Sequence, residues 1–426
     1  MSRPSAPERT TTAAAIAPAK SAYRWAVLGA ATFAQASASF AMLGVAALAG
    51  FLQRDFKLTA AETGLLITAT YGAAVFSLLF VGDLLDRKSE RLIIGIGGAI
   101  AFVALMLATL GGSFALLLFW LFVAGLGFSA TQPGGSKSVS AWFRGDRLGL
   151  AMGIRQAGLP FGGAIAAASL PALAAASSWR AAFVAGAVAS LAGALVFALV
   201  YRPPREEAAA APKRASLNFA AVAALLRQSW MRNAMVSGLV LVSAQYAILT
   251  WLMLYLRDHA HIPLTHGAWF LSLAQFAGVA GRIGLAAWSD RAPGARFRLL
   301  ALSMLAVGGG ILVLMFVPVQ TPEFLLALLA AWLGFFGLGW YGPWVAYLAE
   351  TAPADKVGLT LGAAMAINQL GIIGAPPLLG LVHDLTGGYA ALWICVVAAL
   401  AVAYLLTGLT RKTGVVDPNT DSARRI

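Results

Sequence analysis

Residues 92–112 read LIIGIGGAIAFVALMLATLGG, an unbroken apolar run without a single charged side chain. At a rise of 1.5 Å per residue, a helix of about 20 such residues crosses a hydrocarbon core of about 30 Å. The run does not alternate apolar with polar residues, as a barrel strand of about 10 residues would. It therefore reads as a membrane-spanning helix, and comparable runs recur along the whole chain. The spans are placed at about 25–51, 62–82, 92–112, 114–141, 148–172 and 180–201, then 232–256, 266–288, 298–318, 323–348, 358–382 and 388–409. The fold class this predicts is an all-α membrane protein with twelve transmembrane helices in two six-helix, pseudo-symmetric halves.

Composition agrees. Of 426 residues, 60% are hydrophobic and 11% charged, whereas a soluble domain carries about 25% charged residues. The net charge of +13 does not indicate nucleic acid, because the basic residues are not gathered into one domain; they punctuate the gaps between apolar runs. A single cysteine, Cys395, excludes a disulfide framework and a thiolate metal site within one chain, and neither a metal nor a cofactor is expected. Residues 1–22 are rich in Ala, Ser, Thr and Pro and read as a tail. They lack the compact apolar stretch of a cleaved signal peptide.

Sorting the gaps alternately separates two sides. One holds Arg87, Lys88, Arg91, Arg144, Arg147, Arg202, Arg205, Lys213, Arg214, Arg227, Arg291, Arg296, Arg298, Lys356, Arg411 and Lys412. The other holds only Arg54, Lys57, Arg180 and Arg257. The positive-inside rule then predicts both termini in the cytoplasm. The expected organisation is a tail (1–22), a first half (23–201), a polar cytoplasmic linker (202–230), a second half (231–410) and a second tail (411–426).

The halves echo one another. Gly82-Asp83-Leu84-Leu85-Asp86-Arg87 follows the second span, and Ala286-Ala287-Trp288-Ser289-Asp290-Arg291 follows the eighth. Gly149-Leu150 with Gly153 opens the fifth span, and Gly358-Leu359 with Gly362 opens the eleventh. Such internal duplication marks transporters built from repeats, with the binding site near the midplane between them.

The loop GDLLDRKSER (82–91), with its echo SDR at 289–291 and the central linker, resembles the signature of the major facilitator superfamily between its second and third spans. The resemblance covers essentially the whole chain after residue 22; Ser89 and Glu90 depart from the usual Gly and Arg/Lys. It implies that Gly82, Asp83, Asp86, Arg87, Arg91, Asp290 and Arg291 take part in gating the cytoplasmic side. The plainer alternative is that Asp86 and Arg87 terminate a helix and obey the charge rule.

A charge inside a span costs at least about 2.5–3.5 kcal/mol and marks a functional-site candidate. Lys137 (fourth span), Arg155 (fifth) and Arg282 (eighth) qualify. Arg155 lies seven residues after Leu148 and Arg282 eight before Asp290, about 10 and 12 Å by helical rise. No Asp or Glu lies deep within any predicted span. An arginine at the place of Arg282 resembles the substrate-binding arginine of monocarboxylate, oxalate/formate and nitrate/nitrite porters. Leu78 stands where nitrate porters carry a second arginine, which argues against nitrate. Trp142-Phe143 with Arg147, and the stretch 151–156 (AMGIRQ), resemble cyanate-permease-like anion porters. By the same resemblance the fifth and eighth spans face one another, so two arginines approach across the pathway. Arginine's planar fork matches carboxylate oxygens bidentately.

Structural alternatives stand beside each assignment. Arg282 could cap carbonyls of a broken helix or pair with Asp290; Arg155 could hold the halves through backbone contacts; Lys137 could snorkel to the cytoplasm. Gln35, Gln132, Gln156, Gln245, Tyr246, Gln275, Trp340, Tyr341, Asn368 and Gln369 are uncharged candidates that could equally bridge helices. The Gly/Pro runs at 132–135, 158–163 and 374–377 read as packing and bending elements. His259, His261, His266 and His383 fall near the external face and read as wet-loop residues.

The expected function is secondary active transport of a small organic anion, a mono- or dicarboxylate, by alternating access with proton symport or anion exchange. The carrier is expected as a monomer in the lipid of a bacterial inner membrane, without a nucleic-acid partner and without enzymatic activity. Drug or metabolite efflux is the rival within transport, and a non-transporting sensor the rival outside it.

Overall fold

The computed structural model describes residues 18–143, 148–204, 227–291, 296–318, 320–352 and 357–413. Among them there is no strand. This is the physical expectation for a chain in lipid, where each backbone N–H and C=O must be satisfied within its own segment.

The first span is Pro18–Ala47, continued by a short helix, Ala49–Phe56; the second is Ala60–Arg87, the third Glu90–Leu110. The fourth is a pair of consecutive pieces, Phe114–Phe128 and Thr131–Trp142, followed by the fifth, Leu148–Ala176, and the sixth, Trp179–Val200. The second half repeats the plan: Ser229–His259, Leu264–Arg291, Arg296–Met315, the split tenth span Glu323–Gly339 and Tyr341–Thr351, then Val357–Thr386 and Tyr389–Thr413. Among the described residues, eleven spans qualify by length and apolar composition alone; the second, a helix of 28 residues, completes twelve. The first helix begins at Pro18, inside the stretch read as a tail. Residues 205–226, the body of the expected linker, lie outside the described residues.

The fourth and tenth spans kink for the same reason. Pro133 has no N–H to offer the Ser129 carbonyl, and Pro343 none for Gly339. Each missing bond falls where its helix divides, at 129–130 and at 340. The kinks occupy corresponding places in the two halves, and they set up the site described below.

Turns are fixed by local chemistry. Thr59 and Glu62 form a reciprocal capping box at the start of the second span, and Ser113 and Ser178 accept from backbone N–H groups of the following helices. Large apolar side chains such as Leu110, Leu199 and Phe316 are exposed on the perimeter, as a lipid-facing surface requires. The seventh span is the most enclosed, with Trp251 fully buried.

The halves meet along two seams, the second span against the eleventh and the fifth against the eighth. In the first, Thr68 Oγ1 donates to the Ile373 carbonyl at 2.5 Å. Gly64 lies so close to Pro376 and Pro377 that a Cβ there would sit 2.4 Å from the Pro377 nitrogen. In the second, Ser272 Oγ donates to the Ala164 carbonyl at 2.8 Å and Phe161 meets Phe276 edge to face. A Cβ on Gly163 would lie 1.8 Å from Gln275 Oε1. Arg257 Nη2 adds a bond to Gln53 Oε1 at 3.1 Å. These contacts gather from mid-depth toward the end with few basic residues, called here the charge-poor end.

Candidate transport site

Arg155 and Arg282 are both buried, at 0% and 9% exposure, and each is anchored on the carbonyls of a kinked helix. Arg155 Nη2 donates to the carbonyls of Thr131 (3.2 Å) and Gln132 (2.5 Å) and to Gln35 Oε1 (3.1 Å). Gln35 Nε2 in turn donates to Ser39 Oγ, which fixes its oxygen toward the arginine. Gly135 lacks the side chain that would collide with the guanidinium, since a Cβ there would lie 2.8 Å from Arg155 Nε. Arg282 Nε donates to the Leu338 carbonyl and its Nη1 to the Gln156 carbonyl, both at 3.2 Å. The first bond stays in the second half; the second crosses to the first. The Arg282 guanidinium stands 5.3 Å from the centre of the Tyr341 ring, within cation–π range.

Carbonyl oxygens orient a guanidinium without neutralising it. Arg155 Nε and Nη1 are buried with no partner among the described residues. The described carboxylates are committed elsewhere: Asp55 to Arg180, Glu90 to Lys137, Asp258 to Arg257, Glu323 to His266 and Glu350 to Arg296. Glu62 serves its capping box, and Asp384 binds the backbone of Ala60 and Ala61. An uncompensated buried charge is costly, so the pair of arginines is a standing demand for an anion.

Aromatic and amide groups surround them. Trp340 Nε1 donates to Gln245 Oε1 at 3.2 Å; Trp340, Tyr341 and Trp344 pack edge to face or tilted at centroid distances of 5.6–5.7 Å. Tyr246 meets Tyr71 across the halves, with ring centroids 5.1 Å apart. Gln275 is buried at the Gly163 seam with Oε1 unpartnered, and Asn368 is buried with both amide atoms unpartnered, among the described residues. Gln369 is half-buried.

The structure thus brings together Arg155, Arg282, Gln35, Tyr246 and Tyr341, with Gln245 one step behind through Trp340. Gln132 and Gln156 contribute their carbonyls rather than the side chains expected of them. Lys137 is placed differently. It pairs with Glu90 at 3.2 Å and donates to the Leu85 carbonyl, at the charge-rich end. Glu90, which departs from the signature's basic residue, is thereby explained as the partner of a lysine in the neighbouring span. Arg91 Nε reaches the Ala198 carbonyl at 2.6 Å, within its own half. The side chains of Gly82, Asp83, Asp86, Arg87, Asp290 and Arg291 lie outside the described residues. The histidines occupy the charge-poor end: His259 faces the Val317 carbonyl and stacks on Tyr255, and His383 packs against Tyr389.

Sequence reasoning missed Tyr71, an aromatic residue in an otherwise apolar span with nothing local to mark it. It also missed that the arginines rest on backbone carbonyls beside the breaks in the fourth and tenth spans, and on that of Gln156, which Pro160 leaves without a helical donor.

A profile of the Major Facilitator Superfamily matches residues 29–373. An uncharacterized MFS-type transporter of Mycobacterium tuberculosis is 26% identical over 384 residues, covering 90% of this chain and 84% of its own. The probable sulfoacetate transporter SauU of Cupriavidus necator is 26% identical over 395 residues, covering 86% and 90%. The probable galactarate/D-glucarate transporter GudP of Bacillus subtilis is 23% identical over 387 residues, covering 84% and 85%. Among solved structures, a bacterial homolog of the human lysosomal transporter Spinster, inward-facing and occupied, superposes with a TM-score of 0.73 at 17% identity. That match covers 92% of this chain and 98% of the other.

Proposed function

The chain belongs to the major facilitator superfamily, and on that premise we propose that it carries a small organic anion across a membrane by alternating access. The observation that carries this reading is the pair Arg155 and Arg282, buried on the facing fifth and eighth spans and anchored only on uncharged oxygens among the described residues. Arg282 keeps Nη2 free of hydrogen bonds among the described residues and offers the first contact. Arg155, drier, adds its charge to the same space, and Tyr246 and Tyr341 supply hydroxyls beside it. The relatives named for sulfoacetate and galactarate/D-glucarate support an organic acid as cargo.

The contacts between the halves gather at the charge-poor end, which the positive-inside rule assigns to the outside. The conformation is accordingly closed outward. No carboxylate accompanies the arginines among the described residues, so the proton of a symport cycle would travel on the cargo, or a second anion would return in exchange.

The test is uptake of a radiolabelled carboxylate panel into proteoliposomes, with and without a pH gradient, for wild type and Arg282→Ala. Uptake that needs Arg282 is the expected result. Dependence on the gradient would indicate symport, and dependence on internal anion exchange. Carboxylate uptake indifferent to Arg282, or none at all, would overturn the assignment.

A further inference from the structure

Resting on the anion reading above, we infer that the cargo is a dianion: a short molecule with two anionic groups, one for each arginine. The facing fifth and eighth spans each carry a buried guanidinium, Arg155 and Arg282. Arg282 grips the backbone oxygen of Gln156, the residue next to Arg155, so the two charges share one neighbourhood. The Tyr341 ring faces the Arg282 guanidinium at 5.3 Å. The oxygens that hold the arginines belong to backbone carbonyls and one side-chain amide, Gln35. Dipoles of this kind satisfy hydrogen bonds and leave both units of charge standing.

A monoanion brought to this site cancels one charge and leaves the other buried. A dianion cancels both. Its second charge is attracted by each arginine in a medium of low dielectric, where Coulomb energies are several times those in water. The donors are also divided in a way that suits two groups rather than one. Arg282 presents Nη2 without a bond among the described residues. Arg155 has Nε and Nη1 buried and unpartnered, with Nη2 alone occupied. Nε and Nη1 point to different sides of the guanidinium, so Arg155 acts on a second anionic group through its charge rather than as a bidentate fork. One anionic group would thus engage Arg282 and the other would be drawn to Arg155, with the tyrosine hydroxyls beside them.

The experiment is binding to the purified full-length protein in nanodiscs, measured by calorimetry. The probes are succinate and its size-matched monoanion, monomethyl succinate, with malonate and glutarate to vary the spacing of the charges. At least one dicarboxylate is expected to bind about tenfold or more tightly than its half-ester. Arg155→Gln should reduce that preference to less than about threefold, and Arg155→Lys, which keeps the charge, should retain most of it. Dicarboxylate and half-ester binding equally to wild type would overturn the dianion inference while leaving the anion reading intact. A preference that survives Arg155→Gln would also overturn it. Failure of every anion to bind wild type would instead remove the proposed function itself. The wild-type comparison stands even where a variant does not fold.

Discussion

The carboxylate of Asp384, at the end of the eleventh span, accepts the backbone N–H of Ala60 at 2.9 Å and that of Ala61 at 2.8 Å. A residue of the second half thereby caps the opening turn of a helix in the first. Leading N–H groups carry the positive end of the helix dipole, so the ionised carboxylate is the suited partner. Gly380, one turn earlier, admits the close approach, since a Cβ there would sit 2.4 Å from the Ala60 carbonyl oxygen.

Asp384→Ala should therefore loosen the charge-poor end. Loss of a side-chain cap costs about 1 kcal/mol, a roughly fivefold shift between closed and open. Spin labels at Lys57 and Leu385, in a background where the single exposed Cys395 is replaced by serine, would report it. A longer-distance population is expected to grow. An unchanged distance distribution would mean the cap contributes nothing to closure.

Lys137 and Glu90 give a second expectation. The Glu90 side chain is 8% exposed and that of Lys137 37%, so removing the lysine strands a carboxylate. Lys137→Met should lower stability by about 1–2 kcal/mol, discounted for the exposed lysine, and adding Glu90→Gln should restore most of it. Thermal unfolding followed by tryptophan fluorescence would read both. Anion affinity should stay within about twofold of wild type. A large loss of affinity with unchanged stability would instead place Lys137 in the site.

At the seam of the fifth and eighth spans, Gly163 leaves the place that Gln275 Oε1 fills. Gly163→Val should wedge the halves apart and depress transport about tenfold or more, because overpacking costs about 1–3 kcal/mol. Gly163→Ala combined with Gln275→Ala should recover what Gly163→Ala alone loses. Additive losses in the double variant would show that the two residues do not share this contact.

The ring of Tyr341 supports the Arg282 guanidinium. Tyr341→Phe keeps the ring and should hold binding near wild type, whereas Tyr341→Leu should weaken it about fivefold, in line with a cation–π contact of about 1 kcal/mol. Equal losses in both variants would assign the effect to the hydroxyl.

The helices were legible because lipid makes apolar length nearly sufficient as a signal, and Arg155 and Arg282 were legible because charge at that depth is rare. Their partners were not. Backbone carbonyls of Thr131, Gln132 and Leu338 carry no mark in the sequence and are reached only because they lie beside the breaks in the fourth and tenth spans, while that of Gln156 is left open by Pro160 and met by Arg282 only across the seam. Pairing Lys137 with Glu90 required knowing how two neighbouring spans line up in depth. Tyr71 became visible only when the second span met the seventh.

Arg282 binds Leu338 in one half and Gln156 in the other with a single guanidinium. The group that would greet the cargo is thus also a rivet through the closed carrier. On the anion reading, cargo first met by the free Nη2 and then drawing Nη1 away from the Gln156 oxygen would undo a fastening between the halves as it binds. Such coupling of loading to loosening would suit anion exchange, in which only the occupied carrier has to rock.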